Sequence, residues 1–166
     1  MAEQTTQKEK ALRVLTMLEG KWMGEGQGDF PTIDSFDYQE TLTFERRDET
    51  SLFYQQRTEK RSKGKSVYQT SHWESGFLRI LDNGIIEWSN SQSGGRTEIL
   101  VGIPEIDDDL IRMELTSQAL TNDERMVSSA RMIEVGSGIL KYQMGMQTTR
   151  VEKLTPHLAA TLYRVT

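Results

Sequence analysis

An all-β fold is predicted: an antiparallel meander of roughly ten strands, paired as a sandwich or closed as a barrel, behind one short N-terminal helix. Three observations carry this. Apolar residues recur with a period of two along most of the chain beyond residue 20. Turn-forming clusters break that pattern at intervals of about 8–15 residues. Helical spacing occurs in a single stretch.

That stretch is "ALRVLTMLEG", where Ala11, Leu12, Leu15 and Leu18 share a face and Gly20 is placed to cap the C-terminal end. Residues 1–10 are polar and read as a flexible N-terminus, so that 11–166 form one domain. The first strand follows in "GKWMGEGQGDFPT". Gly24, Gly26 and Gly28 lie on the face of Trp22, where they either bend the strand or leave room for something flat beside the backbone. If the sheet closes into a barrel, Trp22 would plug one end of it with its indole. "FDYQETLTF" puts Phe36, Tyr38, Glu40, Leu42 and Phe44 on one face. "SLFYQQRTEK", "SVYQTSHWESGFLRIL", "GIIEWSNSQ", "RTEILVG", "DLIRMELTSQAL", "RMVSSARMIEV" and "GILKYQMGMQ" continue the meander, and a last strand begins near Pro156. Between them stand Lys63-Gly64-Lys65, Asp82-Asn83-Gly84, Gly94-Gly95, Asp107-Asp108-Asp109, Thr121-Asn122-Asp123 and Gly136-Ser137-Gly138. Asp-Asn-Gly is a strong hairpin signal, because its residues tolerate positive φ. The face Ile86, Trp88, Asn90, Gln92 starts apolar and turns polar. Either it is a pocket wall nearing its mouth, or the strand is leaving the core. A closed barrel of this strand number is too wide to be filled by side chains and tends to enclose a small-molecule cavity.

Composition narrows the chemistry. The chain has 166 residues, enough for one substantial core, and a net charge of −5. That balance argues against a nucleic-acid partner. The run "RTEKRSKGK" reads as a solvated hairpin tip rather than a phosphate site. No cysteine is present, which removes disulfides, thiolate zinc sites, iron–sulfur clusters and a Cys nucleophile. No apolar run reaches the ~18 residues of a membrane span. The N-terminus carries no secretory signal pattern. A cytoplasmic protein with no membrane partner is the expectation.

No hydrolase triad, dinucleotide fingerprint or Walker loop is legible, and the aspartates at 107–109 lack the alternation of a calcium loop. Other carboxylates are taken as surface groups. The two histidines are His72, in "QTSHWESGFLR", and His157, in "LTPHLAATLYRV". A lone histidine is usually packing or surface, but haem needs only one protein bond to iron.

"GKWMGEGQGDFPTI" resembles the signature of the nitrobindin family, Gly-x-Trp-x-Gly-x-Gly followed by aromatic-Pro-Thr. Gly20, Trp22, Gly24, Gly26, Phe30, Pro31 and Thr32 carry the match. "FDYQETLTF", "HWESGFLR" and "LTPHLAATLYRV" resemble three further segments of that family, in order, so that the likeness runs from about Leu18 to the C-terminus. The resemblance implies a ten-stranded antiparallel up-and-down β-barrel, akin to lipocalins and fatty-acid-binding proteins, with haem b at its mouth. It implies His157 as axial ligand to the iron, Thr32 as a residue lining the haem site, and His72 across the haem from the ligand. It implies binding of nitric oxide and isomerisation of peroxynitrite to nitrate, with no catalytic group beyond the iron. Leu78, Trp88, Met144 and Met146 are candidates for an apolar wall, or are ordinary core. An acceptor is expected on the second nitrogen of His157. One eukaryotic relative carries the domain fused to a THAP zinc finger, which a chain without cysteine does not contain. Relatives have a longer threonine run before the ligand. Here Arg150-Val151-Glu152-Lys153 follows Thr148-Thr149, and Arg150 and Lys153 are read as facing water rather than propionates. The alternative reading is a carrier of a fatty acid or other lipophile, anchored by an inward Arg79, Arg131, Tyr142 or Tyr163.

Overall fold

The computed structural model describes residues 5–165. A helix, α1 (Gln7–Leu18), precedes eleven strands: β1 (Gly20–Gly28), β2 (Phe36–Asp48), β3 (Ser51–Ser62), β4 (Gln69–Ile80), β5 (Ile86–Gln92), β6 (Thr97–Gly102), β7 (Pro104–Asp107), β8 (Leu110–Thr121), β9 (Met126–Gly136), β10 (Ile139–Thr148) and β11 (Val151–Arg164). Every pairing is antiparallel, β1 joins β11, and β6 with β8 closes the ring. β6 and β7 pair with successive parts of β8 and are separated by Ile103 alone. They are one stave broken before Pro104, which has no N–H to donate to a ladder. The result is a closed ten-stave barrel, as the resemblance implies. Closure pairs β6 with β8, while β7 is paired to β8 on one side.

Helix α1 starts earlier than its apolar spacing suggests. Thr6 accepts a hydrogen bond from the Glu9 amide, and the Glu9 carboxylate accepts one from the Thr6 amide. This capping box draws Gln7–Lys10 into the helix, although these residues were expected to be flexible. Residues 1–4 lie outside the described residues. The C-cap is Glu19, not Gly20. Gly20 opens β1 with a φ of 126°, which turns the chain sharply from helix to barrel. Ala11, Val14, Leu15 and Leu18 are buried, so the helix covers one end of the barrel. Trp22 is buried beneath that end and donates its indole N–H to the Leu18 carbonyl at 2.8 Å.

The expected turns form. Asp108, Asn122 and Ser137 all take positive φ, and the Asp-Asn-Gly hairpin closes with Leu81 N–H on the Ile85 carbonyl at 2.9 Å. The last strand starts at Val151, before Pro156. Pro156 lies opposite Gly145, where the β10–β11 register shifts, and the irregularity absorbs its missing donor.

Inside the barrel the side chains form layers. Leu42, Phe44, Leu52, Leu78, Ile86, Trp88, Leu100 and Leu140 pack an apolar base under α1. Above them lie Glu40, Gln56, Glu74, Asn90, Glu98 and Arg131, all buried. The β5 face is therefore an inner wall: Asn90 is as buried as Trp88, and it donates to Glu98 at 3.1 Å.

Candidate functional site

Above the polar layer the barrel opens into a cavity of about 610 Å³, within the range of small-molecule sites. Thr32, His72 and His157 all line it, although they come from the β1–β2 loop, β4 and β11. A larger concavity, about 810 Å³, is lined by outward residues such as Glu25, Gln27, Glu134 and Lys141, and has neither histidine.

Local structure explains how His157 is held. β11 pairs with β1 from Leu158 to Arg164. One residue beyond, the Asp29 amide donates to the His157 carbonyl at 2.8 Å. This bond ties the Phe30-Pro31-Thr32 segment to the histidine. The Phe30 ring lies 4.8 Å from the imidazole, centroid to centroid, and stacks on Phe36 at 6.0 Å. Ring and backbone together fix the imidazole in place. His157 is 4% exposed, and its Nδ1 is buried with no hydrogen-bond partner. The acceptor expected on the second nitrogen is absent among the described residues.

His72 is held differently. Its Nε2 lies 2.8 Å from Glu74, whose carboxylate also accepts from the Tyr54 hydroxyl at 2.8 Å and from Arg131 at 2.7 and 3.3 Å. Arg131 also donates to Glu98 at 2.8 Å. Burial alone would raise the pKa of both carboxylates. The Arg131 guanidinium, with hydrogen bonds from His72 to Glu74 and from Ser129 to Glu98, holds them below the ordinary range. Glu40 has no such cation in contact. Burial pushes its pKa up to about 8, opposed by the short hydrogen bond it accepts from Tyr142. Burial thus favours its neutral form, and its Oε1 is buried without a partner. An uncharged carboxyl tolerates that far better than a carboxylate.

Three carboxylates read as surface groups thus sit inside the barrel. The signal was present for Glu40, which shares a strand face with Tyr38, Leu42 and Phe44. It was weaker for Glu74 and Glu98, whose partner Arg131 comes from β9. Of the four candidate anchors for a carboxylated lipophile, Arg79 and Tyr163 are exposed. Arg131 is occupied by Glu74 and Glu98, and Tyr142 by Glu40. Met144 and Met146 line the cavity, while Leu78 and Trp88 lie in the base. Arg150 lines the cavity and Lys153 is exposed away from it.

Tyr38 reaches Tyr142, with their hydroxyls 3.0 Å apart, across two intervening strands. The register places Gly26 and Ala160 between them. A Cβ on Gly26 would come within 2.3 Å of the Tyr38 ring, and one on Gly28 within 2.2 Å of Phe36. The space left by these glycines is filled by the chain's own aromatic rings.

The cavity fits a flat, largely apolar cofactor bound through one imidazole. His157 is buried and lines the cavity, and Phe30, Met144 and Met146 supply apolar surface near it.

Comparison with known proteins points the same way. The family model described as a THAP4-like, heme-binding beta-barrel domain matches residues 11–164. Peroxynitrite isomerase 1 of Mycolicibacterium paratuberculosis is 36% identical over 156 residues, covering 92% of this chain and 94% of that protein. A relative from Arabidopsis thaliana, Peroxynitrite isomerase Rv2717c, is 34% identical over 148 residues, covering 89% of this chain and 85% of its own length. The crystal structure of Rv2717c from M. tuberculosis superposes with a TM-score of 0.84 at 30% identity, covering 94% of this chain and 98% of that one.

Proposed function

This chain belongs to the THAP4-like, haem-binding β-barrel family, the nitrobindins, and from that premise we propose that it isomerises peroxynitrite to nitrate at a haem b held through His157. The observation that carries the residue assignment is the buried imidazole of His157 lining the cavity that Thr32 and His72 also line. When bound, a ferric haem would supply a Lewis acid for rearranging the O–O bond and a site for nitric oxide.

The protein's own groups do the rest. His157 binds the cofactor, and Phe30 keeps its ring from turning. The Asp29–His157 backbone bond brings Thr32 to the same mouth. Met144 and Met146 exclude water from one wall. His72 faces the cavity from β4 with Nε2 committed to Glu74, which leaves its other nitrogen for a ligand. No residue is assigned as general acid or base, consistent with an isomerisation that has no net proton transfer. The carrier reading has less support. A lipophile carboxylate would have to displace Glu74 and Glu98 from Arg131, leaving buried carboxylates uncompensated.

Haemin titration of the apoprotein tests the ligand. The Soret spectrum of the wild type should change character and the affinity should fall at least about tenfold in His157→Ala. Identical spectra and affinities in the two proteins would remove His157 as the ligand. Rapid mixing of peroxynitrite with haem-loaded protein should then accelerate its decay, with nitrate as product. Decay unchanged from buffer would reduce the function to binding of haem and nitric oxide.

A further inference from the structure

We infer that the rim of the His157 cavity is an anion site, formed by Arg96, Arg125 and Arg150, that takes a carboxylate or a small oxyanion. The occupant is either the propionate edge of haem or a free anionic reactant; this rests on the haem-binding reading. The three arginines come from three different turns, β5–β6, β8–β9 and β10–β11, and all line the same cavity. Of the carboxylates in or beside these turns, Asp123 lines the cavity, while Glu124 and Glu152 are exposed and do not line it. Asp123 lies 3.7 Å from Arg96 and 3.2 Å from Arg125, and Arg150 has no ion pair among the described residues. Arg96 is the least expected of the three. Its side chain is 17% exposed, and its Nε is buried without a partner. A guanidinium with an unsatisfied buried donor is expensive unless an acceptor arrives.

The remaining charges that line the cavity lie deeper. Glu74 and Glu98 share the single Arg131, and burial favours the neutral form of Glu40. The floor is therefore net negative and the rim net positive, within a chain whose overall charge is −5. An anion is drawn to the mouth of the barrel and repelled from its floor. A positive cleft of this kind also concentrates an anionic reactant near the site, more strongly at low salt.

Three titrations test the site. Haemin and haemin dimethyl ester, in which both propionates are blocked, are titrated into the wild-type apoprotein, the double variant Arg125→Gln/Arg150→Gln, and Arg96→Gln. Nitrate is titrated into the same apoproteins and followed by backbone amide shifts. The Arg125 side chain is 84% exposed and Arg150 is exposed, so the double variant should fold even if Arg96→Gln does not. Propionate capture predicts that haemin binding weakens about tenfold in the double variant, that the ester binds all proteins alike, and that high salt closes the gap. Capture of a free oxyanion predicts unchanged haemin affinity but loss of the nitrate-induced shifts at the three turns. Unchanged haemin affinity together with unchanged nitrate shifts overturns the site. His157→Ala keeps the two assignments apart: if its Soret spectrum matches wild type while the double variant still loses haemin, the rim stands and the axial ligand is reassigned.

Discussion

Glu40 shows what a barrel interior does to an acid. Its side chain is 2% exposed, its partner is the Tyr142 hydroxyl rather than a cation, and its pKa rises from 4.5 to about 8. The native state thus keeps a proton that the unfolded chain releases above 4.5. Stability from this group is highest at acid pH, falls as pH rises through that window, and levels off above about 8. Glu40→Gln should flatten that decline. In urea titrations the variant should gain on the wild type between about pH 5 and pH 8. Parallel profiles for the two proteins would mean that Glu40 is already ionised in the fold.

At the scale of one element, β1 is a strand with its inner face cut away. Gly26 lets the Tyr38 ring cross it and meet Tyr142, and Gly28 does the same for Phe36, which stacks on Phe30. The glycines cost backbone entropy, about 0.5–1 kcal/mol each relative to alanine, and the rings that cover them recover it by burial. Gly26→Val would put a Cβ 2.3 Å from Tyr38 and 2.6 Å from the Ala159 carbonyl. The variant should lose about 1–3 kcal/mol in urea unfolding, and the altered tyrosine environment should shift the near-ultraviolet dichroism. Wild-type stability with an unchanged spectrum would show that the two rings do not depend on that gap.

Across the whole molecule, the barrel is divided into an apolar base, a polar layer and an open mouth. Arg131 governs the middle layer, because it alone pairs with both Glu74 and Glu98. Both carboxylates have lowered pKa values, so their contribution is present above the ordinary carboxylate range and is lost as pH falls through their folded-state values. Arg131→Met leaves two buried carboxylates without a cation and should cost about 3–5 kcal/mol at pH 7. With the cation gone their pKa values rise, so acidification should narrow the deficit relative to wild type. A deficit that is constant with pH, read by thermal melts, would place the loss in packing instead. The layering also separates tasks: the base beneath α1 supplies the stability, and the mouth is left free to bind.

The sequence by itself determined the strand period, the turns, the single helix and the pairing of Trp22 with the closed end, because each depends on residues near one another in the chain. It also brought forward His157 and Thr32, since local segments resemble a known signature. Tertiary structure alone decided what the inward polar residues do. Alternation puts Glu40 on the face of Tyr38 and Leu42, but an acid on an apolar face becomes meaningful only when Tyr142, across two intervening strands and two small residues, closes over it. Arg131 meets Glu74 and Glu98 at sequence separations of 57 and 33 residues. The rim arginines converge from three turns that share nothing but the mouth of the barrel. Closing the sheet makes those distances small, and in the enclosed, poorly solvated space that results, charges and unpartnered donors acquire energies they do not have along an open strand.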